Sequence, residues 1–180
     1  MKSKMLALLK PAIVLIAICM VSALLLAFVN SVAAPIIEKA NQDKQLATLG
    51  VVLPGAQGFE QIELKNAPKT VKSLYKETSG KGYALLMKAE SGYHTIEFSL
   101  GIDAEGKIAG LSFTTPFHSG GNAGLGSALQ TFIDSYIGVP EDLSGSVDKV
   151  TNASKSSAAV RGALSDAFDL IDRLEGGEPV

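Results

Sequence analysis

The sequence predicts an α+β fold: an antiparallel β-meander covered by helices, with one amino-terminal transmembrane helix. Three observations carry that expectation. A long apolar run opens the chain, a series of short β-prone runs separated by glycine-containing turns follows, and two stretches with apolar residues at helical spacing close it.

The opening run is uncharged from Pro11 to Ile37, and its centre, "AIVLIAICMVSALLLAFV", is apolar almost throughout. Such a length is expected to cross a hydrocarbon layer about 30 Å thick. Lys2, Lys4 and Lys10 precede it without any acidic residue, which predicts a cytoplasmic amino terminus and a domain on the outer side of the inner membrane. Ser31-Val32-Ala33 also resembles a signal-peptide cleavage site, the competing reading of the same run. Next, "IIEKANQDKQLATLGVVLPG" reads as a helix with Ala40, Leu46, Leu49 and Val52 as its contacts, stopped by Pro54-Gly55.

Four runs of strand character come after it: "TVKSLYKE", "GYALLMKAE", "HTIEFSLGID" and "KIAGLSFTTPF". In the third, Ile96, Phe98, Leu100 and Ile102 alternate with Thr95, Glu97, Ser99 and Gly101, the pattern of a sheet with one face on a core and one toward water. Helices to cover the apolar face are expected from "LGSALQTFIDSYIG", through Leu125, Leu129, Phe132, Ile133 and Tyr136. A second is expected from "SSAAVRGALSDAFDLIDRL", through Val160, Leu164, Phe168 and Ile171. The expected organisation is therefore 1–37 for the cytoplasmic start and membrane helix, 38–70 as a connecting segment, 71–175 as the functional domain and 176–180 as a tail.

Composition narrows the chemistry. Of 180 residues 47% are hydrophobic, enough for one domain core and one extra element. A net charge of −2 leaves no basic surplus for neutralising phosphates, so no nucleic acid partner is expected. Cys19, the single cysteine, lies in the apolar run, and His94 and His118 are the only imidazoles, so neither a Cys-based nor a His-rich metal site can be built. His94 reads as a strand surface residue.

The remaining polar signals sit in two loops that precede the closing helices. "HSGGNAGLGS", from His118 to Ser127, places Gly120, Gly121, Gly124 and Gly126 where backbone N–H groups can approach an anion, but it lacks the Lys of a nucleotide-binding P-loop. "SVDKVTNASKSSAAV" concentrates Thr151, Asn152, Ser154, Ser156 and Ser157 before an apolar helix. Asp148, Thr151, Ala153 and Ser154 fit the pattern Asp-x-x-[Ser/Thr]-Gly-Ala-[Thr/Ser], with Asn152 at the glycine position. Asn is the residue best able after Gly to hold a positive φ there. Ser146 and Lys149 also match the Ser-x-x-Lys spacing of penicillin-binding enzymes, but the Ser-Asp-Asn and Lys-Thr-Gly partners of that machinery are absent.

On these residues the chain resembles the FMN-binding domain family. The likeness runs through "LLLAFVNSVAAPII", "GKGYALLMKAESGY", "IDAEGKIAGLSF", "NAGLG" and "DKVTNASKSSAAV", and points to the branch of G subunits of Rnf ion-translocating ferredoxin:NAD oxidoreductases, related to C subunits of sodium-pumping NADH:quinone reductases. The resemblance implies an electron-transfer subunit of a membrane-bound ion-translocating oxidoreductase without independent catalytic activity. It implies covalent FMN, esterified through its phosphate to Ser154 by a flavin transferase. Asp148, Thr151, Asn152, Ala153, Ser156, Ser157, His118, Gly124, Leu125 and Gly126 would be the other cofactor-binding residues, with Ser156 and Ser157 starting the helix or contacting the phosphate and the ring over the glycine-rich loop. The expected partners are the other membrane subunits, the transferase and membrane lipid. The alternative is a flavin-free, membrane-anchored structural or binding module of such a complex, which would be colourless where the flavoprotein is yellow.

Overall fold

A computed structural model describes residues 15–16, 18–31, 33, 47–178 and 180. The chain divides into two compact units, Met1–Gln45 and Leu46–Val180.

In the first unit the longest described helical stretch is residues 18–31, where the Ser31 hydroxyl donates to the carbonyl of Phe28 at 2.8 Å. The expected transmembrane helix is corrected here. Among the described residues no helix is long and apolar enough to cross a membrane. The membrane-bound character and the single-pass location inferred from the run are corrected with it. Its flanking parts, including Pro11, Pro35 and Ile37 and the Lys residues before them, lie outside the described residues.

The second unit is an antiparallel sheet covered by helices. Its strands are β1 (Phe59–Ile62), β2 (Val71–Glu77), β3 (Gly82–Glu90), β4 (Thr95–Asp103) and β5 (Ile108–Phe113), and they lie in the order β1-β2-β3-β4-β5. Every neighbouring pair is antiparallel, as short connections between successive strands require. Among the described residues three helices belong to this unit: α1 (residues 47–52), α2 (Ser127–Asp134) and α3 (Ser154–Glu175).

One sheet face is apolar for the reason expected: Ile96, Phe98, Leu100 and Ile102 are buried against Val160, Leu164, Phe168 and Ile171 of α3 and against Phe132 of α2. Leu125 and Tyr136 flank α2 instead of lying in it, yet both are buried in the same core. The opposite face departs from the expected water-facing side. Ser99 is fully buried there, and Cβ atoms added to Gly101 or Gly110 would run into the carbonyl of Val52. The main chain at the end of α1 therefore lies on the sheet where two side-chain-free positions admit it, and Leu49 packs with Tyr75, Ala84 and Leu86. Ala40 and Leu46, the other expected contacts of that segment, are outside the described residues.

Candidate functional site

The turn that leads into α3 is fixed from both sides. Asn152 holds φ 65°, in the left-handed region where the sequence expects it, and Ala153 is the residue preceding the helix. Below the turn, the buried Ser157 hydroxyl accepts the N–H of Val150 at 2.9 Å and donates to the carbonyl of Ala153 at 3.0 Å. The preceding loop is tied to α3 by Arg161, whose guanidinium donates to the Ser146 hydroxyl at 2.8 Å and to the Tyr136 hydroxyl at 3.0 Å and lies 3.4 Å from the Asp148 carboxylate. Ser146 donates in turn to the carbonyl of Leu143 at 2.7 Å. It sits in a loop with its hydroxyl engaged by Arg161, so the Ser-x-x-Lys spacing does not produce a helix-borne nucleophile and base.

Ser154 begins α3 with its side chain exposed. The first intrahelical bond at this end runs from Ser157 N–H to the carbonyl of Ala153 at 2.9 Å. The N–H groups of Ser154, Lys155 and Ser156 therefore precede the regular ladder, as the opening donors of any α-helix do. The helix dipole adds partial positive charge at the same place.

A cleft of about 460 Å³ opens beside this end of α3, within the ~300–1,000 Å³ range of small-molecule sites. Asn152, Ala153, Ser154, Lys155 and Ser156 form one wall, with Tyr93, His94, His118 and Ser119 opposite. No carboxylate is among these residues. A second cleft, of about 570 Å³, has Asp103, Glu105, Glu141, Asp172 and Glu175 in its walls and is electrostatically unsuited to an anionic cofactor.

Of the expected site residues, the cleft gathers His118, Asn152, Ala153, Ser154 and Ser156. The others stand elsewhere. Thr151 and Asp148 are exposed outside the lining, Ser157 is buried beneath the turn, Leu125 is in the core, and Gly126 caps α2 at φ 52°. Gly124 is exposed and also outside the lining. The glycine-rich loop is shaped by Asn122, whose side-chain oxygen accepts the N–H groups of Phe117 at 2.8 Å and His118 at 3.3 Å. Gly120 N–H donates to His118 Nδ1 at 3.1 Å.

Four lining residues escape sequence reasoning: Tyr93, His94, Ser119 and Lys155. His94 precedes β4, and its ring is held between the Ser91 hydroxyl and the carbonyl of Pro116, 3.0 Å from each. It is a wall of the cleft and not a strand surface residue. Lys155 donates to the Tyr93 hydroxyl at 3.2 Å with its ammonium 4.5 Å from the ring centroid, which bridges the two walls. Lys155 stands next to the hydroxyl motif and Ser119 next to His118 in the glycine-rich loop, the local signals that could have found those two.

An exposed primary hydroxyl, a set of helix-end N–H groups and a cleft without carboxylates suit a group that carries a phosphate. Residues 92–169 match the model of the FMN-binding domain, and residues 1–52 match that of the RnfG N-terminal region. No curated protein matches the chain. The FMN-binding domain supports FMN as the cofactor and an electron-transfer role for the chain as a redox-related subunit.

Proposed function

We propose that the chain is the FMN-carrying electron-transfer subunit of an Rnf-type ferredoxin:NAD oxidoreductase, with the flavin phosphate joined to the Ser154 hydroxyl by a flavin transferase. The observation that carries this is Ser154 itself: an exposed hydroxyl on the first residue of α3, at the edge of a cleft with no carboxylate in its walls. The matched RnfG N-terminal region supports the Rnf-type assignment, whose partners would be the other redox subunits of that assembly.

A phosphodiester at Ser154 retains one negative charge. The opening N–H groups of α3 would donate to it and the helix dipole would favour it. Ser157 and Arg161 keep the turn in place from below, so the acceptor is presented in one geometry. His94 and His118, each held through a ring nitrogen, bound the opposite side of the cleft and limit where a bound ring can lie. When bound, FMN supplies the electron chemistry, and the chain contributes binding, orientation and electrostatics.

The test is production of the full chain with a flavin transferase, followed by denaturing electrophoresis under ultraviolet light and intact mass measurement. A fluorescent band and a mass increase of one FMN less water are expected, both lost in Ser154→Ala and kept in Ser154→Thr. An unmodified wild-type mass, or a modification that persists in Ser154→Ala, refutes the assignment and leaves a flavin-free module.

A further inference from the structure

We infer that this cleft recognises the phosphate of a flavin without any covalent bond, and that Lys155 is the residue that reads it; the inference rests on the reading of Ser154 as the FMN acceptor. Lys155 follows Ser154 directly, yet its ammonium is not turned away into solvent. It lies on the Tyr93 ring and against the Tyr93 hydroxyl, spanning the cleft. That hold is a single hydrogen bond from the ammonium to a neutral hydroxyl and a cation–π contact on an exposed tyrosine, which a bond to an anionic phosphate oxygen can replace.

Ser156 supplies an independent sign of a ligand. It is 4% exposed, it lines the cleft, and no hydrogen bond to its side chain is found among the described residues. Its hydroxyl is not among the fully enclosed atoms, so on this recessed residue it is left to bond with what occupies the cleft. With the opening N–H groups of α3 beside it, Ser156 completes a set of donors accompanied by one cation and no carboxylate. A phosphate monoester provides several acceptor oxygens and negative charge to match. The ribityl end of riboflavin provides only neutral hydroxyls. The cleft therefore selects phosphorylated over unphosphorylated flavin, and Lys155 sets the selection.

The experiment uses full-length Ser154→Ala protein, which cannot be modified at that position, titrated with FMN and with riboflavin while flavin fluorescence is followed. At low salt FMN should bind about fivefold more tightly than riboflavin, the worth of one unit charge near 4 Å in water. The ratio should shrink as salt is raised. Inorganic phosphate should compete with FMN and leave riboflavin binding unchanged. Adding Lys155→Met should bring the ratio to about one, whereas Lys155→Arg should keep it. Equal affinities for the two flavins, binding of neither, or a preference that survives Lys155→Met overturns the inference. If wild type nonetheless carries FMN on Ser154 by mass, the acceptor reading stands without it. An unmodified wild type alongside a Lys155-dependent preference would instead sink the acceptor reading alone.

Discussion

Removing the Ser157 hydroxyl tests whether the acceptor turn is held from beneath. The sequence offers Ser156 and Ser157 as equivalent helix-starting or phosphate-contacting residues, but Ser157 is fully buried and bonded to Val150 N–H and the Ala153 carbonyl. In Ser157→Ala the Val150 N–H loses its acceptor inside the core, where Val150 is 2% exposed. An unsatisfied buried donor costs about 1–3 kcal/mol. The unit Leu46–Val180 holds roughly 135 residues, and at about 2.1 cal/mol/K of unfolding entropy per residue a loss of ~2 kcal/mol lowers its Tm by about 7 °C. Ser154→Ala, at an exposed position, should change stability by less than about 0.5 kcal/mol, or under about 2 °C. Thermal unfolding followed by circular dichroism compares the two. A Ser157→Ala protein that melts with the wild type would show that the turn does not depend on this hydroxyl, and the account of how Ser154 is positioned would be wrong.

Two further perturbations probe the scaffold. Gly101→Ala should lower the urea midpoint by the equivalent of about 1–3 kcal/mol or more, because the new Cβ meets the Val52 carbonyl, whereas Gly50→Ala has open space in α1 and should be neutral or stabilising. Glu77 is buried at the β2 end, and its carboxylate accepts the N–H groups of Gln57, Lys81 and Ser79 and the Ser79 hydroxyl. The backbone N–H of Gln57, followed by that of Lys81, holds its pKa down from 4.5 to about 2. A depressed carboxylate contributes stability that is complete above its unfolded value and is lost as pH falls through the folded one. Urea midpoints should therefore fall between about pH 5 and pH 2, and Glu77→Gln should flatten that limb.

The meander was legible because local patterning and turn chemistry agree there: β4 alternates over its length, and Gly92 and Gly106 take positive φ in the turns on either side of it. β1 was not, since Phe59-Glu60-Gln61-Ile62 is too short to show alternation and exists by pairing with β2. The covered second face was hidden for a different reason. Ser99 and Gly101 look hydrophilic or neutral in sequence, and only the approach of Val52 reveals Gly101 as a contact made possible by a missing side chain. Apolar content alone likewise suggested a membrane crossing, and no described helix is long and apolar enough to make one. Within the cleft, the wall from Asn152 to Ser156 is one continuous segment and was readable. Tyr93 and His94 reach it from the β3–β4 turn, about 60 residues away in sequence, through a fold that local pattern does not encode.

The choice among the clustered hydroxyls follows from helix geometry. Along α3 the buried residues Ser156, Ser157, Val160, Ala163, Leu164 and Ala167 share the face toward the sheet, with Ala153 buried just before the helix, as a period near 3.6 requires. Ser154 and Lys155 fall on the other side of the same first turn and are exposed. Ser156 is within the cleft but recessed, and Ser157 is committed to the backbone of the turn. Thr151 is exposed, yet it stands before Asn152, whose positive φ reverses the chain, and it does not line the cleft. Under the proposed attachment, a transferring enzyme would have to reach an oxygen from outside, and the product would then sit against the helix end. Among these five residues only Ser154 offers a hydroxyl that is both exposed and part of the cleft wall. The helix that covers the sheet thus also decides which hydroxyl is presented, so changes that loosen the packing of α3 should reduce flavin attachment even when Ser154 itself is untouched.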